Sequence, residues 1–264
     1  MLGATTVAAV VVASLVVIAI TMAFVLWHVH RTGRVDVIDT AWGASFSAIA
    51  LAGLAVSWQP DGNALRLLVA AMTVVWGVRL AVHIGVRNRG ADEDRRYADL
   101  FARHRGGRVR VAALWVCLPQ GLGLLVVSLP IQLAYSSDTA GLRWFTVVGL
   151  LVWLLGMIFE VGGDAQLARF RSDPRNRGRV LDGGFWRYTR HPNYFGDACV
   201  WWGIYLAGCT APLAAFAIVS PIAMSWLLAR GTGKPVMERH LSDRPGYAEY
   251  VRRTSGFLPM PRRR

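Results

Sequence analysis

The chain lacks most of the marks that usually announce a mechanism. Its three cysteines, Cys117, Cys199 and Cys209, lie in apolar runs without metal-ligand spacing. That excludes a disulfide framework and a metal site and leaves packed thiols. No Gly-x-Gly-x-x-Gly loop follows a strand, so a Rossmann-type domain is excluded. There is no internal repeat, low-complexity tract or interdomain linker, and one helical domain over 1–264 is the simplest organisation. Acid is scarce too: 16 Asp and Glu stand against 29 Lys and Arg, for a formal net charge of +13. No basic residue precedes the first apolar run and no cleavage signature follows it, which argues against a signal peptide.

What the chain has is apolar length. It is 54% hydrophobic with a mean hydropathy of +0.38, and so much charge in so apolar a sequence implies segregation. Seven apolar spans, at about 5–28, 37–58, 64–86, 111–135, 142–163, 193–209 and 212–229, predict an all-α, polytopic, seven-transmembrane-helix bundle. Of the 29 basic residues, 26 fall on alternate linkers and the C-terminal tail. The positive-inside rule then places the N-terminus outside and the C-terminus in the cytoplasm, as in a bacterial-type inner membrane. Nucleic acid is excluded as a partner because these loops are short, tethered to a bilayer and lack a binding module. Part of their charge suits anionic lipid headgroups. The loops at about 87–110 and 164–192 and the tail 230–264 mix Arg with aromatics, Gly and Pro, which reads as ordered structure closing over something. Terminal Arg262, Arg263 and Arg264 read as solvated or lipid-facing.

The densest polar cluster runs from Gly183 to Gly203, GGFWRYTRHPNYFGDACVWWG. Pro192 biases His191 towards an extended backbone and suits the first turn of a helix running on to Trp201 and Trp202. Free N–H groups at that helix start, with Arg187 and Arg190 just ahead, form a ready anion site. Ionisable groups also sit inside spans, where they are expensive. Arg79 and His83 lie four apart on one face of the third span, in a stripe with Trp76 and Arg87. Arg79 is roughly 12 Å from the cytoplasmic end at helical rise, so it either snorkels or faces a ligand. Glu160 and Asp164, also four apart, oppose a helix dipole and require something positive, either an ion-pair network or a cofactor. Asp39 opens the second span, as a first-turn acid or as a proton donor. Gln120, after Pro119, either satisfies freed backbone or faces a cavity. The tryptophans form an interfacial belt, with Trp201 and Trp202 able to wall a substrate chamber.

With these residues in hand, the chain resembles the DUF1295 group of the steroid 5-alpha-reductase family. The matches are Asp39, Trp42 and Gly43; Trp76, Gly77, Arg79 and Leu80; Arg87 and EDRRY (Glu93–Tyr97); Glu160, Asp164 and Gln166; the GGFWRYTRHPNYFGD block; and Leu228, Arg230, Glu238, Tyr247, Tyr250, Thr254, Phe257 and Pro259. The resemblance implies an NADPH-dependent enzyme transferring a hydride to a carbon–carbon double bond of a steroid-like or other unsaturated membrane lipid, with the nucleotide on the cytoplasmic side. Its implied cofactor residues are Asp164, Arg171, Arg179, Arg187, Tyr188, His191, Asn193, Tyr194, Asp197 and Arg230. Three phosphates want several Arg and a helix N-terminus, and Asn193 suits a carboxamide. The Gln-Glu-x-Pro segment with which steroid reductases polarise a ketone does not occur, and the third span has no Tyr. Asp39, with Arg79 or His83, is left as the catalytic candidate, and the substrate is as well a different membrane lipid as a steroid.

Two other classes compete. Membrane isoprenylcysteine and phospholipid methyltransferases, which use S-adenosylmethionine, share an RHPxYxG-like block satisfied by His191, Pro192, Tyr194 and Gly196, with Glu238 downstream. Against them stand Asn193, the Glu160/Asp164 pair and an Arg excess no phosphate-free ligand needs. A transporter would fit intramembrane Arg79 and His83, but there is no repeat or broken-helix pair.

Overall fold

A computed structural model describes residues 4–90, 92–136, 143–210, 212–231 and 233–263. The expected start of the fifth span at 142 and Arg264 lie outside them. Among the described residues there is no strand, only one isolated bridge between Thr189 and Ser255. The helices are α1 (Ala4–Thr32), α2 (Val37–Val56), α3 (Ala64–Asn88), α4 (Arg95–Arg103), α5 (Arg108–Ala112), a π-turn at Ala113–Cys117, α6 (Leu118–Val127), α7 (Leu129–Tyr135), α8 (Trp144–Ser172), α9 (Pro192–Gly208), α10 (Val219–Ala229), α11 (Lys234–Leu241) and α12 (Tyr247–Arg253). Six helical stretches among the described residues are long and apolar enough to cross a membrane: Thr5–Thr32, Val37–Val56, Ala64–Asn88, Arg108–Val127, Trp144–Ser172 and Ala214–Arg239. The stretch expected to be another span, 193–209, forms the 17-residue α9.

Two elements differ from the sequence reading. The fourth span is expected at 111–135, but the helix stops at Val127 and restarts as α7. Pro130 enforces that stop, since it can sit only in the first turn of a new helix. Pro119 breaks nothing. A proline ring clashes with the carbonyl four residues back, here Trp115, and that residue lies within the π-turn, whose wider spacing absorbs the conflict. The fifth span is expected to end at 163, whereas α8 runs on to Ser172. Asp164 and Arg171 are therefore helix residues rather than loop residues.

The chain folds as two compact units: Met1–Arg143 with Gly208–Ile218, and Trp144–Ala207 with Val219–Arg264. In the first, α1, α2 and α3 pack in sequence order. Gly43 and Gly77 let α2 and α3 touch, because a Cβ on either would collide with the other's carbonyl. Arg66, buried in α3, donates to the Tyr135 carbonyl at 3.1 Å, where the negative end of α7 welcomes a cation. Val25, Val29, Val35, Ile38, Ala112, Val116 and Cys117 form a core cluster into which α4 inserts Tyr97. In the second unit, α8 and α9 run antiparallel along a heptad of glycines. Gly149 meets Gly203 and Ala207, Gly156 meets Gly196 and Val200, and Gly163 meets Pro192. A seven-residue repeat keeps this thin seam in register along both helices.

Candidate functional site

The Gly183–Asp197 block forms one end of the second unit. Gly184 takes φ +60°, and its missing Cβ leaves room for the Gln166 amide, whose Oε1 accepts the Phe185 N–H at 3.0 Å. Trp186 is buried and donates its indole N–H to the Gly163 carbonyl at 3.0 Å. These contacts tie the Gly184–Arg187 turn to α8. The C-terminal tail closes the other side. Tyr250 Oη donates to the Trp186 carbonyl at 2.7 Å, Thr189 Oγ1 to the Phe257 carbonyl at 2.8 Å and Met260 N–H to the Tyr188 carbonyl at 2.9 Å. Burial drives the Tyr250 phenol well above its ordinary range, so it remains a donor. Arg262, expected to be solvated, instead bonds Asp182 at 2.7 Å.

Arg190 departs from its expected role. Its guanidinium is buried, with Nε on Glu238 Oε1 at 2.8 Å and one terminal nitrogen on the Thr254 and Val251 carbonyls at 2.6 and 3.2 Å. It clamps α11 and α12 to the block and does not sit in front of the helix as an anion ligand. His191 shares the same carboxylate oxygen, with Nε2 at 3.2 Å, which puts the imidazole hydrogen on Nε2. Its ring stacks parallel to Tyr194 at 5.2 Å. Burial lowers the His191 pKa below its ordinary value; Glu238 opposes that shift, and the Arg190 and Lys234 charges reinforce it.

Asn193 opens α9, half-buried, and donates its amide to Asp164 Oδ1 at 3.0 Å, while its own Oδ1 accepts the Tyr194 N–H at 3.1 Å. The offset sought for the buried acids of α8 is, for Asp164, an amide from α9. Glu160, Asp164 and Asp197 are all buried. Arg171, Arg179, Arg187, Tyr188 and Arg230 are exposed. The unit thus combines buried acids, Asp164 hydrogen-bonded to Asn193, with guanidiniums on its surface. Among the described residues no cluster of His, Cys, Asp or Glu could hold a metal.

The catalytic candidates belong to the first unit. Asp39 lies in the first turn of α2 and accepts two bonds, from Arg96 at 2.8 Å and from the Tyr97 hydroxyl at 2.6 Å. Burial and the Asp39 charge push the Tyr97 phenol far upwards, so it keeps its proton. The sequence reading missed this partnership, although EDRRY stood within its matches. Arg79 and His83 lie half-buried on α3, below Trp76, which is fully buried against Phe46. Trp201 is buried, and Trp202 donates to Ser225 at 3.1 Å.

A family described as "Protein of unknown function (DUF1295)" matches residues 6–254. Steroid 5-alpha-reductase DET2 of Arabidopsis thaliana is 32% identical over 72 residues, 26% of this chain and 28% of the relative. The 3-oxo-5-alpha-steroid 4-dehydrogenases 1 of Mus musculus and Rattus norvegicus are 28% and 30% identical over 78 and 84 residues, 30% and 32% of this chain and 31% of each relative. The matched stretches thus span under a third of those relatives. No solved structure matches. With a family match over nearly its whole length, the chain belongs to the DUF1295 family, as an integral multi-pass membrane protein similar to the steroid reductases.

Proposed function

We propose that this protein is a reductase that uses NADPH to deliver a hydride to a carbon–carbon double bond of a steroid-like or other unsaturated membrane lipid. The observation that carries this reading is the Asn193–Asp164 pair at the head of α9, held at 3.0 Å beside the His191–Tyr194 stack. A carboxamide fixed by a buried carboxylate is pre-organised to recognise another carboxamide, such as that of nicotinamide. Exposed Arg171, Arg179, Arg187 and Arg230 offer the positive charge that three phosphates require. The residues therefore fit the nucleotide. Bound NADPH would supply the hydride; the protein's own part is to hold the carboxamide, neutralise phosphate and exclude water.

For the lipid, the proposal keeps Asp39, Arg79 and His83 as the polar groups serving the charge that hydride delivery creates. Tyr97, through its hydroxyl, and Arg96 donate to Asp39 and fix that carboxyl at the head of α2. The proposal also takes α9, at roughly 26 Å of helical rise, as a seventh crossing, with the N-terminus outside and the C-terminus and cofactor side in the cytoplasm. Similarity to steroid 5-alpha-reductases supports the reaction class. Glu238 engages both Arg190 and His191, and with the RHPxYxG-like block it also suits an S-adenosylmethionine-dependent methyltransferase. Thermal unfolding of the purified protein with each cofactor separates the two. NADPH at a hundred times its Kd adds about 2.7 kcal/mol and raises Tm, while S-adenosylmethionine leaves it unmoved. The opposite pattern overturns the reductase reading.

A further inference from the structure

Lys234 is the single lysine of the chain, and it opens α11 in the second unit. A helix start favours an anion and disfavours a cation, so its place there calls for a counterion. Glu238, one turn on, feels its charge, but that carboxylate is engaged by Arg190 and His191. Among the described residues the Lys234 ammonium has no ion-pair partner, and the residue is only half-buried.

Arg190 brings a second cation to the same place. Its clamp uses Nε and one terminal nitrogen, and Nη2 makes no hydrogen bond among the described residues. Nη2 lies beside Gly256 of the tail. A Cβ on that glycine would meet it at 3.2 Å and Lys234 Nζ at 2.6 Å. Two like charges therefore converge on one bare Cα, on the tail rather than at the head of α9. Nearby acids do not balance them, since Asp182 is held by Arg262 and Glu249 by Arg253, both at 2.7 Å. Glu238 thus stands as one negative charge against two positive ones. Tyr247 adds a further donor. It is 5% exposed and feels the charges of Glu238 and Arg190, and its hydroxyl has no hydrogen-bond partner among the described residues. A buried hydroxyl left so is costly unless a ligand or water serves it. Three donors, two of them charged, match the oxygens of a phosphate.

We propose that Lys234, Arg190 Nη2 and the Tyr247 hydroxyl form a binding site for a phosphate group. The assignment stands apart from the reductase reading, because none of the three is among the residues proposed to hold NADPH. The phosphate is either a free anion or part of a nucleotide, and the test separates the two.

With a single lysine in the chain, acetylation by acetic anhydride at Lys234 is read directly by peptide mass spectrometry. Purified protein in neutral detergent is labelled in chloride, in inorganic phosphate or with NADPH, at equal ionic strength. An anion on the ammonium keeps it protonated and unreactive, so phosphate should slow labelling about tenfold relative to chloride. Gly256→Ala should abolish that protection, because its Cβ displaces the flexible tip of Lys234 and leaves the backbone in place. Tyr247→Phe should raise the half-protecting phosphate concentration about fivefold, the worth of one hydrogen bond. Protection by phosphate supports a site for the free anion, and protection by NADPH alone supports one for a nucleotide phosphate. Equal labelling in all three solutions overturns the proposal, as does undiminished protection in both variants. Equal labelling while NADPH still raises Tm removes this site and leaves the reductase reading standing.

Discussion

Single side chains decide how the second unit holds together. The Arg190 guanidinium is buried and depends on Glu238 for its countercharge. Removing one partner leaves a charge without compensation, which costs more than the pair itself is worth. Glu238→Ala should therefore destabilise the protein by about 2–3 kcal/mol in urea unfolding, with Glu238→Gln intermediate because it keeps a hydrogen-bond acceptor. Equal stability of Glu238→Ala and wild type would mean that water serves Arg190 as well as the carboxylate does. His191 gives a pH signature. Its pKa is depressed in the folded state, mainly by burial, so on acidification the unfolded chain takes up a proton first. Stability is then complete above about 6.5, the ordinary imidazole value, and falls as pH drops from there towards the folded pKa. Tm measured from pH 7.5 to 5.5 should decline, and His191→Gln should flatten that decline. A decline of the same size in the variant would assign it to other groups.

Helices bring their own test, through the glycine seam of α8 and α9. A side chain at Gly196 would strike the backbone of Glu160 and Gly156. Gly196→Leu should force the helices apart and cost at least about 3 kcal/mol, or leave little folded protein. Gly85→Leu, which adds the same side chain where a Cβ would meet only the Thr40 methyl at 3.5 Å, should express as wild type. Equal expression of both would remove the seam from the account. Most elements were legible in the sequence, because apolar length and Arg placement follow directly from the physics of the bilayer. The start of α9 at Pro192 was legible for the same kind of reason, since proline belongs in a first turn. Less legible were features set by contact. Gly149, Gly156 and Gly163 announce a seven-residue repeat, but only the facing glycines of α9 turn it into a seam. Arg190 looked like an anion ligand at the head of α9 because sequence shows a charge and hides which way it points. The continuation of α8 to Ser172 escaped a reading tuned to hydropathy, since the helix outlasts its apolar run.

At the scale of the whole molecule, composition gave the membrane character and the motif block gave the family, because both are carried by residues close in sequence. The pairings Asn193–Asp164, Arg190–Glu238 and Asp39–Tyr97 join residues 29 to 58 positions apart, and no local pattern reports them. The first two order the polar residues of the second unit, and the third orders the head of α2 in the first. The most direct test of the proposed nucleotide site is equilibrium binding of NADPH to purified wild-type protein and Asn193→Ala. The account predicts binding by wild type and at least tenfold weaker binding by Asn193→Ala, measured at a temperature where both proteins are folded. Equal affinity in the two proteins would contradict it.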